Sequence, residues 1–184
     1  MKRKFFVRPT LKVAKDMLGK YLVRRIGREI LTGEIVETEG YIGPHDKASH
    51  AFGFKRTPRN RAEYLIGGHV YIYLVYGMYW QLNISTFRAG EPECVLIRAL
   101  EPVGQNDKLA NGPGKLCRWL KLDKSFYSED VVRSKRIWLE DRGVKVKKQK
   151  IVARSRIGID YAGPVWAKKL WRFYIKNNPA VSMK

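Results

Sequence analysis

Val70-Tyr71-Ile72-Tyr73-Leu74-Val75-Tyr76-Gly77-Met78-Tyr79-Trp80-Gln81-Leu82-Asn83-Ile84-Ser85-Thr86 is rich in aromatic and β-branched residues and is broken once, by glycine. Such side chains suit a pleated, half-buried surface. Val70 to Tyr76 and Gln81 to Thr86 are therefore expected as strands, connected through residues 77–80. Alternation sends Tyr71 and Tyr73 to one face of the first strand, and Leu74 and Tyr76 to the other. A generic aromatic core accounts for most of these rings. Tyr76 differs, because it stands beside Gly77 at a turn where a large ring can protrude. A protruding ring at a hairpin tip on a basic protein suggests a wedge between nucleic-acid bases.

Working outward, Arg88-Ala89-Gly90-Glu91-Pro92 reads as a turn into a third strand, Cys94 to Leu100. Upstream, Tyr21 to Ile26 and Ile30 to Glu39 read as strands joined at Gly27 and Arg28. Thr10 is placed as the cap of a short helix carrying Leu11, Ala14 and Leu18 on one face, with Gly19 ending it. Residues 40–61 read as loop. Pro113 suits the first turn of a helix running through Lys115 to Leu122. Ile137 to Glu140 and Val144 to Lys148 are expected as a hairpin around Asp141-Arg142-Gly143. Ile157 to Ile159 and Trp171 to Ile175 are the last strand candidates. With no repeat, linker or low-complexity tract, the sum is one α+β domain over residues 1–184, mostly antiparallel, with peripheral short helices and a protruding β-hairpin.

Charge is the extreme feature. Lys and Arg number 37 against 17 Asp and Glu, a formal net charge of +20. Such a field attracts polyanions through counterion release and costs self-repulsion in the folded state. Nucleic acid is the first partner to consider, an anionic membrane the second, a basic structural role the third. Solubility alone needs far less charge. The composition, 45% hydrophobic and 12% aromatic, supports a real core rather than a disordered tail. The two cysteines, Cys94 and Cys117, form no Cys-x-x-Cys pair, which argues against a disulfide scaffold and a structural zinc. No apolar stretch has membrane-spanning length, and Met1 to Val7 carries no apolar signal core, so the expected location is the cytoplasm.

Glu34, Glu37, Glu39 and Asp46 make an acidic island in this basic chain. Alternation puts Glu37, Glu39 and Tyr41 on one face. A carboxylate beside a ring on a pocket wall suits hydrolysis on an aromatic ligand. The plainer alternative is a strand edge whose acids pair with arginines, and from this segment alone it is the stronger. His45, Asp46 and His50 have metal-ligand types, but two histidines and one acid in a loop make a weak pattern. No metal and no cofactor is expected.

Here the residues match a known family. The chain resembles the alkyladenine DNA glycosylases, the mammalian type of 3-methyladenine DNA glycosylase. The matching strings include Glu37-Thr38-Glu39-Gly40-Tyr41, Asp46-Lys47-Ala48-Ser49-His50, Thr57-Pro58-Arg59-Asn60, Tyr76-Gly77-Met78, Leu96-Ile97-Arg98-Ala99-Leu100-Glu101-Pro102, Gly112-Pro113-Gly114-Lys115-Leu116-Cys117 and Arg156-Ile157-Gly158. They occur in order from about Leu11 to Ser182. The resemblance implies a curved, mainly antiparallel sheet. It implies a base-excision repair enzyme that flips alkylated or deaminated purines (3-methyladenine, 7-methylguanine, hypoxanthine, ethenoadenine) from duplex DNA. It implies Glu39 as the base that activates water and Arg98 as its partner. Tyr41 on one side, and His50 with Tyr73 on the other, would sandwich the base. Asn83 would reject guanine, and Tyr76 with Met78 would enter the DNA.

The chemistry is consistent. Hydrolysis of an N-glycosidic bond passes through an oxocarbenium-like sugar, which a carboxylate helps as base and as charge. No lysine nucleophile is required, so a monofunctional glycosylase leaving an abasic site is expected, acting as a monomer on double-stranded DNA. A cationic alkylpurine leaves without an acid; a neutral base needs a proton from a donor that no motif names. In a eukaryote the location implied would be the nucleus, in a prokaryote the nucleoid. The rival reading is a non-catalytic basic nucleic-acid-binding module. The chain departs from the family pattern at Gly40, where alanine is usual and glycine would loosen the strand. It departs at Glu63-Tyr64, in a loop expected to approach DNA, and also at Trp80-Gln81 and Asp160.

Overall fold

The computed structural model describes residues 1–183. Its strands are β1 (Tyr21–Ile26), β2 (Glu29–Ile42), β3 (Val70–Val75), β4 (Tyr79–Ser85), β5 (Glu93–Pro102), β6 (Ile137–Glu140), β7 (Ile151–Arg154) and β8 (Arg172–Ile175). The helices are short: α1 (Thr10–Met17), α2 (Pro113–Trp119) and α3 (Pro164–Ala167), with several single 3-10 turns between strands. All eight strands belong to one curled sheet, in the order β3-β4-β5-β2-β1-β6, with β8 joining β2 and β7 joining β8. Every pairing is antiparallel. The α+β reading with a curved antiparallel sheet holds. No helix of the described residues is long and apolar enough to cross a membrane.

β2 is the hub. Its first half pairs with β1 and its second half with β5, while Glu37 to Glu39 also pair with β8. A bulge falls between Ile35 and Thr38, where the β5 register shifts twice. Before the bulge, Leu31 and Ile35 enter the main core. After it, Thr38 turns toward α1, donating from Oγ1 to the Ala14 carbonyl at 2.9 Å. The extra residue reverses the alternation. Without it, Glu37 and Glu39 would follow Ile35 into the apolar core; with it, they face the opposite side of the sheet.

The main core is built from α1 and α2 against the sheet, and includes Val13, Met17, Leu22, Ile35, Leu82, Ile84, Ile97, Leu100, Leu116 and Phe126. The β1–β2 connection is the two-residue turn at Gly27 and Arg28, with Ile26 facing Glu29. Thr10 is not a cap. It is the first residue of α1, buried, with its hydroxyl bonded to Thr86 Oγ1 at 2.6 Å and to the Glu93 carboxylate. β2 continues to Ile42, three residues beyond the expected end, because β5 pairs with it as far as Glu93.

Two strand expectations fail. Residues 144–148 do not pair with β6; Lys20 Nζ instead holds this segment, bonding Asp141 at 2.7 Å and the Val144 carbonyl at 3.1 Å. Residues 157–159 form no strand: Ile157 and Gly158 make a bend, and the Ile157 N–H is spent on a side chain rather than a neighbouring strand. Conversely β7 lies in a segment that the expectations left unassigned, directly after the lysine-rich run 145–150.

Candidate active site

Glu39 is fully buried. Its carboxylate is held by three donors. Tyr41 donates its hydroxyl to Oε2 at 2.8 Å. The Ile157 backbone N–H donates to Oε1 at 2.9 Å. Arg98 Nη1 lies 3.3 Å from the same oxygen. Tyr41, Arg98 and Ile157 all line a cavity of about 670 Å³, so Glu39 sits directly behind the wall formed by its own partners. That volume is in the range of sites that hold a small ligand.

Arg98 comes from β5, opposite the bulge. It bridges two buried acids, with Nε 3.4 Å from Glu37 Oε1. Burial opposes its charge, but Glu39 and then Glu37 outweigh this and hold the guanidinium protonated more firmly than usual. Glu37 has a second cation, Arg172 of β8, at 2.9 Å, and accepts the Ser182 N–H at 2.8 Å. The plain reading is therefore right for Glu37 in the pairing with arginines but not in the strand edge, since Glu37 is fully buried between β5 and β8. Glu39 is paired as well, yet its pairing group faces the cavity.

The rings expected around a ligand do share that cavity. Tyr41, His50, Tyr71 and Tyr73 line it, together with Asn83 and Tyr76. Tyr73 and His50 meet edge to face, centroids 4.7 Å apart, and Tyr71 lies 5.1 Å from Tyr73. His50 Nδ1 is 2.6 Å from the Tyr71 hydroxyl. Burial, then Arg59 and Lys55, lower the His50 pKa, so the ring holds a proton less readily than a free imidazole. Tyr41 resists ionisation because it is buried and faces the Glu39 carboxylate. Asn83 is buried on β4 opposite Leu96.

Tyr76 and Met78 lie between β3 and β4 and are 86% and 64% exposed. Tyr76 has φ 51°, in the left-handed region that costs a non-glycine residue, and Gly77 follows at φ 69°.

Several site residues carry roles that no motif suggested. Arg156 is buried against Asp46, with Nη2 2.9 Å from Oδ1 and Nη1 bonded to Oδ2. It also donates to the Gly40 carbonyl at 3.1 Å and lies 4.7 Å from the Tyr41 ring centroid. It thus fixes the far face of Tyr41. Asp46 also accepts the Ala48 N–H at 3.0 Å. With Asp46 committed to Arg156 and His50 to Tyr71, the metal-ligand reading of His45, Asp46 and His50 has no geometry behind it. Arg59 stacks 5.3 Å from the Tyr73 centroid and donates to the Leu74 carbonyl at 2.9 Å. The string Arg156-Ile157-Gly158 was the available signal, but it does not say what the arginine touches.

Glu63 corrects a further expectation. It does not stand on a loop surface facing DNA; it is 1% exposed and lines the cavity. Burial pushes its pKa up to about 8. At Gly40 a Cβ would come 2.7 Å from Leu11 Cδ2, so the end of the Leu11 side chain would have to shift to admit an alanine.

A basic α+β domain whose cavity combines clustered aromatic rings with a guanidinium-held carboxylate has the make-up of a DNA base-excising enzyme. The chain matches the methylpurine-DNA glycosylase (MPG) family over residues 4–179, and it belongs to that family. It is 40% identical to the human DNA-3-methyladenine glycosylase over 97% of this chain and 66% of the human protein. A protein of Borreliella burgdorferi, provisionally named 3-methyladenine DNA glycosylase, is 42% identical over the full length of both chains. One of Methanocella arvoryzae with the same provisional name is 46% identical over 99% of this chain and 95% of its own. The protein is accordingly a DNA glycosylase of alkylation repair, an enzyme that hydrolyses N-glycosidic bonds.

Proposed function

We propose that this protein flips alkylated or deaminated purines out of duplex DNA into the cavity and hydrolyses their glycosidic bond by activated water, leaving an abasic site. The supporting observation is the position of Glu39, tied to Arg98, Tyr41 and Ile157 at the wall of a cavity lined by Tyr41, His50 and Tyr73.

The purine lies between Tyr41 on one side and His50 with Tyr73 on the other. Stacking and the insertion of Tyr76, with Met78 beside it, offset the few kcal/mol lost on unstacking and unpairing. Asn83 excludes the exocyclic amino group of guanine. The C1′–N bond breaks with its electron pair leaving on the purine. The water oxygen bonds to C1′, and the water's proton goes to Glu39. Arg98 orients that water and pairs with the Glu39 carboxylate. A cationic alkylpurine leaves as the neutral base. No lysine lines the cavity among the described residues, which supports a monofunctional reaction without a covalent enzyme–DNA adduct. The net charge of +20 supplies the sequence-independent affinity for a monomer scanning double-stranded DNA.

The test is single-turnover excision from duplexes carrying 3-methyladenine, 7-methylguanine, hypoxanthine or ethenoadenine, read by alkali cleavage at the abasic site. Glu39→Gln should bind lesion DNA and lose roughly 10²- to 10⁴-fold in excision, the usual contribution of a general base. Excision at the wild-type rate would refute the assignment. A wild-type protein that binds DNA but cuts no lesion would favour a non-catalytic binding module.

A further inference from the structure

Glu63 is a second buried carboxyl in the cavity, and the reaction proposed above does not use it. It sits on the 3-10 turn Arg61–Tyr64. Its Oε1 accepts a hydrogen bond from the Cys94 thiol at 3.4 Å. Its Oε2 is buried with no hydrogen-bond partner among the described residues. The groups facing it are the Cys94 thiol from β5, Tyr71 and Tyr73 from β3, Asn60 and Tyr64 on its own loop, and the Tyr127 hydroxyl, which holds the Ala62 N–H at 2.9 Å. None of these is a cation, and no ion pair among the described residues includes Glu63.

A buried carboxyl with one weak thiol donor and one free oxygen is costly to fold around. Its burial keeps the proton on the carboxyl up to about pH 8. When the thiol donates to Oε1, Oε2 is the oxygen left free to carry that proton. The same thiol lies 3.7 Å from Asn83 Oδ1, so Glu63 and Asn83 flank one end of the cavity through Cys94.

We propose that Glu63 is a specificity residue whose carboxyl O–H donates a hydrogen bond to an acceptor atom on the edge of the extruded base. This rests on the base-flipping reading given above. The donated bond strengthens as electron density flows into the departing purine, so it assists neutral bases, which lack a charge of their own to draw those electrons. Hypoxanthine is the type case. A cationic base such as 7-methylguanine is a poorer acceptor and gains less. Once ionised, Glu63 repels the lone pair of a neutral base and attracts a cationic one.

The experiment measures single-turnover excision of hypoxanthine and of 7-methylguanine from pH 6 to about 9.5, with melting temperatures recorded for each variant. In the wild type, hypoxanthine excision should decline above the Glu63 pKa of about 8, and 7-methylguanine excision should not. Glu63→Gln keeps a donor that cannot titrate, so its hypoxanthine profile should lose that alkaline limb. Glu63→Leu has no donor and should lower hypoxanthine excision roughly tenfold more than 7-methylguanine excision, at an equal or higher melting temperature. An unchanged alkaline limb in Glu63→Gln, or equal losses on the two lesions in Glu63→Leu, overturns the proposal while leaving the excision reaction intact. Absence of excision of both lesions by the wild type overturns the reaction and this inference with it.

Discussion

Arg98 Nη1 stands 3.3 Å from Glu39 Oε1, and the same guanidinium reaches Glu37 Oε1 at 3.4 Å. One cation thus spans two acids that are both fully buried, and it is the member of the cluster that faces the cavity. The β2 bulge makes this possible by turning both acids away from the apolar core toward Arg98.

Arg98→Gln should therefore be far more damaging than an ordinary cavity substitution. Glu37 keeps Arg172, but Glu39 is left buried with two neutral donors and no cation. Breaking a buried pair by removing one partner costs about 3–5 kcal/mol. Chemical denaturation should show a loss of that size, and excision should fall with it. Arg98→Lys, which keeps charge but not the planar fork, should recover part of the stability.

Tyr76→Ala should leave the melting temperature within about a degree of wild type, because the ring is 86% exposed and buries little surface. Tyr76→Gly should raise it slightly, since glycine adopts φ 51° without strain. In the base-flipping reading both variants bind lesion duplex more weakly, measured by fluorescence anisotropy at fixed salt. Unaltered affinity would remove Tyr76 from the DNA contact.

Glu63 makes a signed prediction for stability against pH. Its folded pKa, about 8, lies above the ordinary glutamate value of 4.5. The folded state then binds more protons than the unfolded chain between these values, so stability is full below about pH 4.5 and falls as pH rises toward 8. The loss amounts to a few kcal/mol over that window. Glu63→Gln should flatten this part of the curve, measured by urea unfolding at a series of pH values. A decline of equal slope in the variant would assign it to other groups.

Gly40→Ala should be mildly unfavourable here. The added methyl meets Leu11 Cδ2 at 2.7 Å, and Leu11 must move on the α1 face that covers β2. Because Cδ2 is the free end of a flexible, half-buried side chain, the loss should be small, under about 1 kcal/mol. Adding Leu11→Val should recover most of it. Destabilisation that persists in the double variant would point to the β2 backbone instead.

Much of this protein was legible in its sequence because strand alternation is a local property. The placement of Tyr71 with Tyr73, of Glu37 with Glu39 and Tyr41, and the antiparallel α+β class all follow from side chains two residues apart. Net charge identified the kind of partner, and ordered motifs identified the family. The tertiary structure decided the rest, because the contacts involved join residues far apart in the chain. The Ile157 N–H that holds Glu39 lies 118 residues from it, and the Arg172–Glu37 pair spans 135. The bulge that turns the acids toward the cavity depends on where β5 pairs with β2, which no residue of β2 announces. The burial of Glu63, an acid in what reads as a surface loop, likewise depends on β3, β4 and β5 closing over it. Periodicity tells which residues share a face; only the folded chain decides what that face meets, and how far from water it lies.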